Sequence, residues 1–419
     1  MTQSRYTSPY RLFAVTGLEL EYPIVDHELR PQCLVEEAFR HIHGRPTSHI
    51  DYKNVGFSNE LAAHVFEMKT NCPQKELTQA EAQLVNALRF FSRVLQEQFG
   101  VRLLPTGMHP LMQPHETVLW RRSGQEIYKT YARVFPLQGH GWLNVQSCQI
   151  NLPFGTESET VALHNAIACL LPYLPALAAN SPVYEGTLGP NVNNRLAFYR
   201  MNQVRIPCIT GDVIPEFMTS YRQYQREILG GIYRALAQVP GAEWLKHEWV
   251  NSRGAILRFD RHAIEIRVLD TQECVKMDVA IAVFTRGVLK ALVRRILDGN
   301  WTLPAHTMLV ADLNAVIVDG GAAQVAAMHL WKPGQLPRKN NAQALLRQLL
   351  ELAVQETPSK EQPYLTLIEQ RLRTGNLSER IRRTLARYSR RGGARQEAVI
   401  QRLYGELIVC LEQNTPWEG

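Results

Sequence analysis

Apolar and polar positions alternate with two periods along the chain, and each change of period marks an element. Phe13 to Val25 reads as a first strand, with Glu19 and Glu21 set inside an apolar run. Pro31 to His43 places Leu34, Val35, Ala38, Phe39 and Ile42 at helical spacing. Val65 to Thr70 reads as a strand, with Glu67 and Lys69 on one face. Thr78 to Phe99 is an amphipathic helix in which Thr78 and Glu81 have capping-box spacing and Gly100 supplies the stop. A short strand over Val101 to Thr106, a helix over Gln125 to Val134 and a strand over Trp142 to Pro153 follow. Glu157 to Ala179, Phe217 to Val239 and Asp278 to Leu297 read as helices, and Ile256 to Asp260 with Ala263 to Leu269 as a hairpin across Arg261-His262. From Ala342 onward helix follows helix, broken at Pro358, Gly375-Asn376 and Gly392-Gly393. The pattern predicts an α+β fold, with a largely antiparallel sheet and helices outside it. A boundary falls near residue 300, giving a mixed part over 1–300 and a helical region over 301–419.

Within the strands the informative residues are acids. Glu19 and Glu21 stand two apart, so a strand points both to one face. The pair is either a solvated edge or a half-buried site neutralised by protons, arginines or a hard divalent cation. In Ala263 to Leu269, Ile264, Ile266 and Val268 face one way, and Glu265 and Arg267 the other. That carboxylate and guanidinium either pair with each other or meet a metal and an anion respectively. Glu60 and Glu67 are seven residues apart, an odd number, so one straight strand would turn them to opposite faces. They reach one site only if Glu60 lies in the preceding loop or a bulge intervenes.

Bulk properties narrow this picture modestly. A length of 419 residues with 45% hydrophobic and 20% charged positions describes a globular chain able to bury a sizeable core. The net charge of +7 suits an anionic substrate as well as nucleic acid and decides neither. Seven scattered cysteines without a CxxC pair argue for a reducing cytoplasm and against a zinc site. No apolar leader opens the chain, and the longest apolar run, Val161 to Val183, is interrupted by His164, Asn165, Pro172, Pro175 and Asn180. It reads as a buried helix and not as a membrane span. Neither GxxxxGK[ST], GxGxxG nor GxSxG occurs.

The ordered set Gly-Leu-Glu-Leu-Glu, Ser-Asn-Glu with Glu-Met-Lys-Thr, Thr-Gly-Met-His-Pro, Cys-Gln-Ile-Asn, Ala-Asn-Ser-Pro and Glu-Ile-Arg-Val-Leu-Asp resembles the glutamate–cysteine ligase family, in particular its bacterial carboxylate–amine ligase branch. The resemblance spans about residues 13 to 290. It implies a glutamine synthetase-like fold, with an antiparallel sheet curved into a funnel and the site on its concave face. It also implies ATP and Mg²⁺ as cofactors, small amino-acid substrates, and transfer of a γ-phosphate to a carboxylate before an amine displaces it; a homodimer is a further family expectation. On this resemblance Glu19, Glu21, Glu60, Glu67 and Glu265 match metal positions, with Glu265 and Arg267 catalytic. Arg267 matches an arginine that contacts the nucleotide phosphate. Arg195 matches an arginine that meets the acidic substrate, and Asn151 and Thr70 are assigned to substrate. Gln149 stands where the family usually has a metal-site histidine, and its carbonyl could still offer an oxygen.

Two features stand outside that set. His109, in Gly-Met-His-Pro, either lines the site or is held by its loop. Residues 371–395 hold nine arginines against Glu379, a pattern of solvated helix faces or of an acidic-partner surface. Binding of nucleic acid is the less favoured of these.

Overall fold

The computed structural model describes residues 9–122, 125–327, 329–330, 340–391 and 396–419. Its first strand, β1 (Gly17–Val25), lies at the middle of the sheet. The others are β2 (His49–Tyr52), β3 (Val55–Asn59), β4 (Val65–Thr70), β5 (Arg102–Leu103), β6 (Ser147–Pro153), β7 (Val183–Tyr184), β8 (Thr187–Leu188), β9 (Ala255–Arg258) and β10 (Ala263–Asp270). The sheet runs β2-β3-β4-β1-β6-β10-β9, with β5 against the end of β1 and β7-β8 a separate hairpin. Every one of these pairings is antiparallel. The expected α+β class and curved antiparallel sheet are therefore the fold of this chain.

Alternation divides the sheet's two faces. Leu18, Leu20, Tyr22, Phe66, Met68, Ile150, Leu152, Ile264 and Ile266 are buried in one apolar core with the helices Leu77–Phe99 and Val275–Leu297. The second of these helices is buried nearly all round, because helices lie on several of its sides. Among them are Ala342–Glu356 and Gln362–Thr374 from the C-terminal region, so the core continues across residue 300.

Most elements begin or end where backbone chemistry requires, and several differ from the sequence pattern. The first strand starts at Gly17 and not at Phe13, because Phe13 has φ +58° and sits in a turn. Trp142 belongs to a helical turn, His140–Leu143, and the strand starts only at Ser147. The helix from Glu157 stops at Leu170, and Pro172 and Pro175 open two further short turns. The segment expected as one helix from Phe217 starts at Tyr221 and carries a π-helical stretch over Gln225–Leu229. The Thr78/Glu81 capping box does not form. The amide of Leu77 donates instead to Glu361 Oε1 at 2.7 Å, so the helix start is capped from the C-terminal region. Glu81 accepts from Tyr364 and, at 2.6 Å, from Asn414.

Part of the basic segment is turned inward. Arg371 is buried and donates to Gln272 and Glu273. Arg380 covers the Trp417 ring at 4.9 Å and donates to its carbonyl. Arg382 donates to the carbonyls of Gly189 and Asn191, and Arg383 to that of Thr374. The solvated-face reading fits Arg373 and Arg387 but not Arg371 and Arg380. The side chains of Arg390, Arg391 and Arg395 lie outside the described residues.

Gly287 is where the central helix meets a C-terminal one most closely: a Cβ there would lie 3.0 Å from Ala353 Cα. Gly287→Leu overpacks this crossing and is expected to destabilise the protein by about 1–3 kcal/mol. A lowered urea midpoint at unchanged slope measures it.

Candidate active site

The polar face of the sheet carries the acids. Across the strands Glu19 pairs in register with Lys69 on one side and Gln149 on the other. Glu21 stands opposite Glu67, Ser58 opposite Glu67, and Glu265 opposite Asn151. Glu60 follows the last residue of β3 and lies in the connection to β4, which resolves its odd spacing from Glu67. The five acids thus line one cavity of about 320 Å³.

Their charges are unevenly compensated. The interaction between Glu19 and Glu67 favours the neutral form of Glu19 and the charged form of Glu67. Burial works against the Glu67 charge, but Lys69 at 2.6 Å, Ser58 at 2.9 Å and Glu19 hold its pKa down to about 2. Burial, Glu67 and Glu265 push the Glu19 carboxyl well above the usual range, although Arg261 and Asn151 both donate to Glu19 Oε1. Burial, then Glu21 and Glu67, raise Glu60 well above that range too. Among the described residues nothing donates to the Glu60 carboxylate. Two unit charges about 4 Å apart repel by roughly 4 kcal/mol at an effective dielectric near 20, enough to favour a proton or a cation here.

Glu21 and Glu265 are compensated by the protein. Burial raises Glu21 somewhat, opposed by Arg195 and by the Ser147 amide and hydroxyl, each at 2.8 Å. The Gln149 amide nitrogen also donates to Glu21, at 3.0 Å, so its nitrogen rather than its carbonyl is turned to the acid. Burial opposes the Glu265 charge, but Arg267 and Arg258 outweigh it and lower its pKa. Arg258 donates to Glu265 Oε2 at 2.8 Å, and Arg267 donates to Oε1.

A bulge in β10 positions the residues after Arg267. Ile266 pairs with Ile150, yet Leu269 pairs with Cys148, so β10 carries one extra residue there. Asp270 is thereby delivered beneath the site. Its carboxylate accepts from the Asn180 amide (2.8 Å), the Ser181 hydroxyl (2.7 Å), Asn193 and Arg195 (3.3 Å each). Gly107 lies against it so closely that a Cβ would meet the carboxylate at 2.6 Å. Arg195 also donates to the Arg267 carbonyl at 2.9 Å, while its Nε, at the cavity wall, has no partner among the described residues.

A second cavity, of about 360 Å³, adjoins the first at the other end of the same strands. Val15, Leu18, Pro73, Pro153 and Ala263 give it an apolar wall, and Lys69, Thr70 and Asn151 line it too. Glu19 and Arg261 are the two residues common to both cavities, and they are joined at 2.6 Å. The first cavity has an aromatic wall of Tyr131, Trp142, Tyr199 and Trp249 facing the charged sheet.

The sequence-derived residues therefore converge, with distinctions. Thr70 has the opposite strand parity to Lys69, and its hydroxyl bonds to the backbone of Leu18. Asn151 bonds Glu19, and its Oδ1 has no partner among the described residues. His109 lines neither cavity. Its Nδ1 accepts from the amides of Leu111 and Met112, and burial keeps it neutral. Arg258, Arg261, Lys69 and the aromatic wall lay outside the sequence assignment. Lys69 was legible from its shared face with Glu67, and the two arginines from their place around the hairpin turn.

Among the described residues no three His, Cys, Asp or Glu side chains are gathered around one point as a metal ion requires. The donors nonetheless fit a hard divalent cation in kind. They are carboxylate oxygens, and burial with neighbouring acids pushes Glu19 and Glu60 well above the usual carboxylate range, a strain that a cation would relieve.

Glu19→Gln tests this imbalance. The amide keeps an acceptor for Arg261 and Asn151 and offers a donor to Glu67. Because the folded-state pKa of Glu19 is raised, its contribution to stability is present below the unfolded value and lost as pH rises above it. The variant is thus expected to raise Tm by roughly 1–4 °C at pH 8, and by less at pH 5, in paired thermal melts.

The profile of the Glutamate-cysteine ligase family 2 (GCS2) matches residues 15–406. An uncharacterized protein of Archaeoglobus fulgidus is 37% identical over 95% of this chain and 98% of its own length. Among solved structures, glutamate–cysteine ligase from Francisella tularensis in complex with AMP superposes with a TM-score of 0.61 at 12% identity, covering 96% of this chain and 89% of that one. A bifunctional glutathione synthetase from Pasteurella multocida gives a TM-score of 0.60 at 13% identity over 96% of this chain, which spans about half (52%) of that longer one. The ligase PafA, solved with the prokaryotic ubiquitin-like protein Pup, gives 0.50 at 13% identity, covering 96% of this chain and 74% of that one. At these identities the structural likeness is one of fold. The profile match and the archaeal relative reach further: from the first strand to the last helix, the chain belongs to the Glutamate-cysteine ligase family 2.

Proposed function

We propose that the chain is an ATP- and Mg²⁺-dependent carboxylate–amine ligase that makes an amide through an acyl phosphate, with a glutamate-like acid as its carboxylate substrate. The observation that carries this reading is the pair of cavities meeting at Glu19 and Arg261 on a carboxylate-lined sheet face. Family membership and fold neighbours among ligases support it.

The cavity with the apolar wall suits a nucleotide base and sugar, with Lys69 facing the phosphates. The other suits the acid. Arg195 and Arg267 lie on its wall with buried Nε atoms that have no partner among the described residues, donors for a carboxylate or phosphoryl oxygen. Glu19, Glu21, Glu60, Glu67 and Glu265 are the residues to hold Mg²⁺, with Gln149 positioning Glu21. Bound there, the metal would neutralise the triphosphate charge. A substrate carboxylate oxygen then forms a bond to the γ-phosphorus as the bond from that phosphorus to the β–γ bridging oxygen breaks, releasing ADP. The amine nitrogen next bonds to the acyl carbon, phosphate leaves, and the proton lost by the amine goes with it. The protein's part is positioning and charge compensation, the main needs of phosphoryl transfer. The aromatic wall excludes water from the acyl phosphate.

ADP release with ATP, Mg²⁺ and pooled amino acids tests the reading. No release with any pool would sink it. Glu60→Gln is the sharper variant, because among the described residues nothing donates to its carboxylate, whereas Glu265 anchors Arg258 and Arg267. It is expected to cut ADP release by roughly 100-fold or more with Tm unchanged or higher; an unaltered rate removes Glu60 from the site.

A further inference from the structure

Resting on the ligase reading, we infer that Arg261 is a catalytic residue: its guanidinium stands at the passage between the two cavities and meets the phosphoryl group transferred from one to the other. Nothing in the family motifs assigned from the sequence includes it.

The argument starts from the hairpin. β9 ends at Arg258 and β10 begins at Ala263, so Arg261 sits in the turn between them. The turn is tight: the Arg261 amide donates to the Arg258 carbonyl at 3.2 Å, and His262 takes φ +50°. The His262 carbonyl accepts from the Phe154 amide at 2.8 Å, which ties the turn to the end of β6. The backbone is thus fixed while the Arg261 side chain projects back over the sheet.

Its surroundings separate it from the other cations at the site. Arg258 is held by Glu265 and by two bonds to Asp260. Arg267 is held by Glu265, and Arg195 by Asp270 and the Arg267 carbonyl. Lys69 is held by Glu67 and Ser58 and lines one cavity alone. Among the described residues Arg261 has one close partner, Glu19, with Glu265 at 4.0 Å, and 39% of its side chain is exposed. It is also the one cation, among the described residues, that lines both cavities.

Those facts suit a group that changes partner. If nucleotide fills one cavity and the acid the other, the transferring phosphorus must cross the boundary marked by Glu19 and Arg261. Charge on its three non-bridging oxygens persists through the transfer. The planar guanidinium can donate two parallel bonds to such oxygens. In giving them it leaves Glu19, which is then open to the divalent cation. No proton moves to or from Arg261: the new bond joins a substrate carboxylate oxygen to phosphorus, and the broken bond leaves its electron pair on ADP.

The test compares nucleotides that do and do not reach the boundary. Binding of ADP and of the non-hydrolysable triphosphate AMP-PNP, each with Mg²⁺, is measured by calorimetry on wild type, Arg261→Ala and Arg261→Lys. A lost charged hydrogen-bond donor should weaken AMP-PNP by roughly 10- to 100-fold in the Ala variant, with ADP altered less than about twofold. The Lys variant should recover part of the loss, and Tm reports that all three fold. An equal weakening of both nucleotides overturns the proposal, since it makes Arg261 a support for Glu19 and its cation. So does unchanged binding of both. A wild-type protein that binds neither nucleotide overturns the ligase reading itself, and the inference with it.

Discussion

Five carboxylates held on one face of a sheet would repel one another, and the surrounding structure answers that repulsion group by group. Glu265 is enclosed by guanidinium groups, Glu67 by an ammonium and a hydroxyl, and Glu21 by three donors from β6. Glu19 is left with its carboxyl pushed toward the neutral form, and Glu60 is left lining the cavity. Such residual imbalance costs folding stability. It persists where function needs the charge, and it marks the part of the site that the protein itself does not complete.

Motifs that look catalytic in a sequence can be the scaffold beneath catalysis. The Thr-Gly-Met-His-Pro and Ala-Asn-Ser-Pro stretches meet at Asp270, directly below Arg195. Gly107 is needed because its neighbour's carboxylate occupies the space of a side chain. His109 fixes its own loop. These contacts orient Arg195 through a buried hydrogen-bonded network centred on the Asp270 carboxylate.

The sheet and its acids were legible because strand alternation is a strict, short-range rule: two residues apart means the same face. That rule put Glu19 with Glu21, Glu67 with Lys69 and Glu265 with Arg267. Gathering these acids into one site rested on the family resemblance. Of the two ways parity left for Glu60, a loop or a bulge, the loop is the one found. Alternation could not place Arg258 or Arg261, whose roles depend on a turn bringing them over a neighbouring strand. It did not reveal the bulge after Ile266, which depends on pairing with β6. Nor could it reveal that Arg371 and Arg380 point inward, since helical periodicity cannot tell a solvated arginine from one bonded to Glu273. Glu81 illustrates the same limit. Its local capping pattern lost to partners contributed by the far end of the chain.

The carboxylate that caps the Leu77–Phe99 helix comes from Glu361, 284 residues further on, and the same side chain pairs with Arg286. During synthesis, that helix therefore leaves the ribosome with its first turn open. At roughly 5–20 residues per second, the cap arrives on the order of tens of seconds later. Through that interval the apolar face of the sheet has only part of its cover, and a chain stalled before residue 361 is a natural client for chaperones.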